Sequence, residues 1–129
     1  MMTDRIHIAW DNKAKTVVLQ TFEIAATTAD IFKMARLSAE MLSTVDHTVH
    51  LIIVRKARLP IVNARDLNHL SSHVPANQGH VLVVGTAHDK LLIEMGEKSN
   101  SRAVQDSLVV NSLQEARQYL IDHLSVVYP

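Results

Sequence analysis

The amino-acid sequence predicts an α/β fold: one domain over residues 1–129, with helices packed against a mostly parallel, mixed five-stranded sheet. Continuously apolar, β-branched runs such as "VHLIIV" and "HVLVVG" read as strands covered on both faces. Segments between them repeat apolar residues at helical spacing. Two β-prone runs around a polar turn open the chain, adding one antiparallel pairing to strands otherwise joined by right-handed crossovers. The predicted order is β-β-α-β-α-β-α-β-α, with no repeat, low-complexity stretch or internal linker.

The opening hairpin is expected over Arg5–Ala9 and Thr16–Phe22, around the turn residues Asp11, Asn12 and Lys13. Thr27 with Asp30 three positions later marks a helix start. Ile31, Met34, Met41, Leu42 and Val45 share a face, so this helix should run from about Thr28 to Val45. Val49–Val54 is the expected central strand. Asn63 caps a short second helix with Asp66 in its first turn and Leu67, Leu70 and Val74 on one stripe, stopped by Pro75. His80–Gly85 is the next strand. Leu91, Leu92 and Met95 give a weaker third helix ending near Gly96. A last strand, Ser107–Val110, leads to Ser112 and Glu115, a capping box that opens a helix with Leu113, Ala116, Leu120 and Leu124 on one face.

Composition narrows the function classes. At 47% hydrophobic and 20% charged residues, 129 residues suffice to bury a core. Thirteen basic side chains balance thirteen acidic ones, which speaks against a nucleic-acid partner. No apolar run approaches the ~18 residues of a membrane span, and the N-terminus lacks the order of a secretory signal, so no integral membrane segment and a cytoplasmic location are expected. The absence of cysteine removes disulfides and thiolate chemistry.

The element order, the strand "LIIV" before a loop and short helix, the strand "VLVVG" and the closing "SLQEARQYL" together resemble STAS-type domains, the anti-sigma-factor-antagonist-like family of bacterial regulators. The resemblance covers almost the whole chain and rests on pattern rather than on a diagnostic motif. It implies a regulatory domain that binds a protein partner at the loop and helix after the central strand. In regulatory members an Asp-Ser pair opens that helix and the Ser is phosphorylated, adding roughly −2 charge at a helix N-terminus. Here Asn63 and Ala64 stand there, so the phosphoacceptor is missing. Thr3, Thr27, Thr28, Ser71 and Ser72 carry no spacing that marks a substitute.

Arg55, Lys56, Arg58 and Arg65, with Asn63, surround the carboxyl end of the expected central strand, the edge where open α/β sheets bind ligands. They are the candidate partner or anion site; solvated loop charges are the plain alternative. Asp66, His69 and His73 fall on one side of the second helix, away from its apolar stripe, as a weak candidate zinc set; an ordinary polar helix face explains them as well. Asp46, His47 and His50 sit together in sequence but point apart in extended chain, and His47 reads as a helix-end or turn residue. "VVGTAHDK" lacks both phosphate-loop patterns, so Gly85 is expected to serve a tight turn before a helix begun by His88 or Asp89. Met34, Met41 and Met95 read as core filler. Trp10 is either packing over the sheet edge or an exposed contact.

The expectation is a non-enzymatic regulatory domain with a protein partner and no cofactor. An exposed edge strand leaves a homodimer open. The alternatives are a small-molecule or lipid carrier, with an anionic head group on Arg55, Arg58 and Arg65, and a metal-dependent enzyme using Asp66, His69 and His73.

Overall fold

The computed structural model describes residues 5–56, 74–85 and 107–128. The chain runs β1 (Ile6–Trp10), β2 (Val17–Phe22), α1 (Thr28–Leu42), β3 (Val49–Arg55), β4 (Gln78–Val84), β5 (Ser107–Val110) and α2 (Leu113–Leu124). The strands form one five-stranded mixed sheet in the order β1-β2-β3-β4-β5, so β3 is central. The β1–β2 pair is antiparallel, and every later pairing is parallel. The helices expected after Asn63 and before Gly96 lie outside the described residues.

Side chains alternate across the sheet, and each of the two described helices covers one face. On the α1 face, Val18 and Phe22 of β2, Val49 and Leu51 of β3 and Val81 of β4 pack with Ile31, Met34 and Leu42 of the helix. On the other face, Val17, Ile52, Leu82 and Val110 pack with Ala116 and Leu120 of α2 and with Val126 beyond it. Val17 and Val18 are both fully buried, as are Val49 and Ile52, because β2 and β3 lie inside the sheet with apolar layers above and below.

Several boundaries differ from those read in the sequence. β1 extends through Trp10, whose ring packs partly buried on the α1 face. α1 stops at Leu42 rather than Val45, because Ser43, Thr44 and Val45 turn their amides onto Ala39, Met41 and Leu42. β3 includes Arg55, which pairs with Phe22, and β4 starts at Gln78, which pairs with Val49. Gly85 continues the ladder by donating to the Val110 carbonyl, and no described glycine has a positive φ.

Thr27 and Asp30 complete the expected capping box: the Thr27 hydroxyl accepts from the Asp30 amide, and the Asp30 carboxylate accepts from the Thr27 amide at 2.8 Å. At α2 only half of the expected box forms. Ser112 accepts from the Glu115 amide, but the Glu115 carboxylate reaches past Ser112 to the Asn111 amide at 3.2 Å.

Candidate functional site at the carboxyl edge of the sheet

Parallel strands β2 to β5 end on one side of the sheet, and the loops leaving those ends carry the surface on which α/β sheets usually work. Of the candidate partner or anion set, Arg55 and Lys56 are placed there; Arg58, Asn63 and Arg65 lie outside the described residues, as do Ala64 and the Asp66, His69 and His73 set. The backbone of Lys56 is fixed by its amide, which donates to the Phe22 carbonyl at 2.9 Å. Its ammonium meets the Glu23 carboxylate at 3.0 Å, and the other Glu23 oxygen lies 3.3 Å from Nε2 of His7. Arg55 is partly buried and has interaction partners of its own.

Beside this cluster, Arg5 contacts Asp30 at 2.9 Å. The Asp30 carboxylate is nearly enclosed and sits below the ordinary aspartate range, first because it accepts from the Thr27 amide, with the Thr27 hydroxyl and Arg5 adding to the effect against the cost of burial. The Glu23 amide donates to the Arg5 carbonyl, and the Glu23 carbonyl accepts from Ala26, which holds the loop between β2 and α1 in place. That loop presents Ile24, 75% exposed. On the described part of the edge Lys56 answers Glu23 and Arg5 answers Asp30, and the loop that joins the two carboxylates in sequence presents an apolar side chain.

Two polar clusters elsewhere escaped the sequence reading. Asp11 and Asn12 lie in the turn expected of them, and there the Asp11 side chain and Asn12 are also buried. Arg117 of α2 grips the Asp11 carboxylate at 3.0 Å through Nε and 2.6 Å through a terminal nitrogen, and the Tyr128 hydroxyl donates to it at 2.7 Å. The ion pair holds Arg117 protonated more firmly than usual, and burial followed by the bond to Asp11 raises the Tyr128 phenol. Asn12 donates to Thr16 at 2.7 Å and to the Val127 carbonyl at 3.0 Å, while its own oxygen accepts from the Thr16 and Val17 amides. Arg117, Val127 and Tyr128 lie more than a hundred positions away, so nothing local announced them.

The second cluster spans β3 and β4 on the α2 face. The His50 ring lies over Gly79, where an added Cβ would fall 2.5 Å from Nδ1 and 2.7 Å from Cε1. Nδ1 accepts from the His80 amide at 3.0 Å, which fixes it as the unprotonated nitrogen. Burial, and then the neighbouring His80, lower the His50 pKa. The glycine inside the strand run "NQGHVLVV" was the available signal for close approach. His47 stands apart from His50, donating from Nε2 to the Lys15 carbonyl at 2.8 Å in a turn, the role expected of it.

Among the described residues no group of three or more His, Asp or Glu side chains could hold a metal ion, and no helix is long and apolar enough to cross a membrane. No known family model matches the chain, and no curated protein or solved structure is significantly similar to it.

Proposed function

We propose that the chain is a STAS-type regulatory domain that acts by binding another protein rather than by catalysis, through the carboxyl edge of its sheet. The observation that supports this most is the make-up of that edge: Ile24 is largely exposed on the loop that starts at Glu23, the partner of Lys56, and leads to Asp30, the partner of Arg5. An exposed apolar side chain on a loop flanked by ion pairs suits a protein surface, which offers a matching pocket and complementary charges. It suits an anionic small molecule less, because Lys56 is already answered by Glu23. A leading antiparallel strand followed by four parallel ones agrees with the element order that prompted the family comparison. With Ala64 where regulatory members carry serine, binding in this reading is not gated by phosphorylation at that position.

A photo-crosslinking residue at position 24 tests the assignment in cells that express the protein. The expected result is a discrete protein adduct that weakens when Lys56→Glu is added, and that is missing when the probe sits at Val127, an exposed residue elsewhere. Adducts from position 127 but none from position 24 would remove the carboxyl edge as the contact surface.

A further inference from the structure

The outer edge of β1 carries an inference independent of the carboxyl edge. The Glu23 amide donates to the Arg5 carbonyl and the Asp11 amide donates to the Val17 carbonyl, which fixes the hydrogen-bond phase of the β1–β2 ladder. In an antiparallel pair, bonded and non-bonded positions alternate. Arg5, His7, Ala9 and Asp11 therefore direct their backbone groups inward to β2, and Ile6, Ile8 and Trp10 direct theirs outward. Nothing among the described residues pairs with that outward row.

Proteins usually protect such an edge with charge, proline, a bulge or a covering segment. The β1 sequence "IHIAW" contains no proline and no permanently charged side chain, and its register with β2 is unbroken.

We infer that β1 is a self-pairing edge, and that a second copy of this chain adds its own β1 antiparallel across a two-fold axis at Ile8. The occupant follows from the phase and the side chains. A two-fold axis at Ile8 sets Ile8 against Ile8 of the second copy and Ile6 against Trp10 of the second copy, all at outward-directed positions, so the ladder's hydrogen bonds fall in register. On the α1 face this joins the partly buried Ile6, Ile8 and Trp10 rows of both copies into one apolar strip. On the other face the exposed His7 falls opposite Ala9 of the second copy, a small residue that leaves room for the ring. No like charges oppose one another. Arg5 and Asp11, of opposite sign, face across at both ends, although the hold of Arg117 on Asp11 makes this a secondary contribution. The same patch serves both copies and the symmetry closes, which gives a dimer with a continuous ten-stranded sheet rather than a fibre.

Sedimentation equilibrium on the full chain, together with its Ile8→Pro and Leu108→Lys variants, tests this. Proline at position 8 removes an outward amide that β2 does not use, so the ladder within each copy is kept while pairing between copies weakens, by roughly tenfold or more in dissociation constant. Leu108→Lys, on the exposed surface of β5, should leave the dimer unchanged. The chain has no cysteine, so Ile8→Cys gives a single thiol whose counterpart in this register stands about 5.5 Å away between Cα atoms, within disulfide range. Oxidation should yield a covalent dimer from Ile8→Cys and none from Leu108→Cys. A monomeric wild-type chain at high micromolar concentration overturns the proposal, as does a dimer lost in Leu108→Lys. Should Ile8→Pro fail to fold, the thiol pair decides: no covalent dimer from Ile8→Cys overturns it.

Discussion

Replacing Asp11 with alanine would leave the Arg117 guanidinium and the Tyr128 hydroxyl without their shared acceptor. Removing one partner of a buried pair costs about 3–5 kcal/mol, and Arg117 is 40% exposed, so a loss of roughly 2–3 kcal/mol in urea unfolding is expected. Asp11→Asn should recover part of it, since an amide oxygen still accepts from one donor. His50 brings a pH effect of definite sign. Its pKa is lower in the folded chain than in the unfolded one, so the unfolded state binds the extra proton. The stabilisation is complete above about pH 6.5, the ordinary histidine value, and is lost as pH falls through the lower folded value. Thermal melts from pH 7.5 to 5 should show this slope in the wild type and a shallower one in His50→Phe; equal slopes would clear His50. Asp30 behaves alike at lower pH, its contribution present above the ordinary aspartate range near pH 4 and lost as its carboxylate is protonated.

At the scale of the element, Gly79 and the ends of the helices decide most. Gly79→Ala drives a methyl against the His50 ring, which its bond from His80 holds in place, and should cost about 1–3 kcal/mol. The same change in a His50→Ala background should cost clearly less, and a double-mutant cycle that finds the two additive would contradict the packing. α2 ends on Ser125 in the left-handed region at φ 56, with its amide donating to Leu120. Ser125→Gly should therefore raise stability by about 0.5–1 kcal/mol, read as a higher melting temperature. These elements also show what a sequence discloses. The Thr27–Asp30 box was legible because donor and acceptor are three positions apart, and the strands because β-branched apolar runs need no partner to be recognised. Asn77 was not legible: its amide donates to the Leu42 and His47 carbonyls, closing the end of α1 from the entry to β4, and no local pattern reports a partner thirty or more positions away. The candidate site was legible as a location, through the rule about carboxyl ends. Its ion pairing was not, since Glu23 and Lys56 become neighbours only once β2 lies beside β3.

For the whole molecule, the sheet separates two apolar layers, and the segment beyond α2 belongs to one of them. Val126 is buried with Val17, Ile52 and Leu120, while Val127 and Tyr128 bond to Asn12 and Asp11. Deleting residues 126–129 should thus uncover part of the α2-face core, with a loss of stability larger than that of Asp11→Ala and with binding of an apolar dye. A truncated chain as stable as the full one would show that this segment only rests on the surface.

The turn between β1 and β2 has a bearing on how the chain is made. It is synthesised well before α2, and its buried carboxylate and one bond of its amide wait for groups 106, 115 and 117 positions later. Closing loops of that span is slow and is not rewarded until α2 arrives. During synthesis the hairpin must stand with the Asp11 carboxylate lacking Arg117 and Tyr128 and with Asn12 held only by Thr16 and Val17, so these contacts form in a late step, after residues 117–128 emerge.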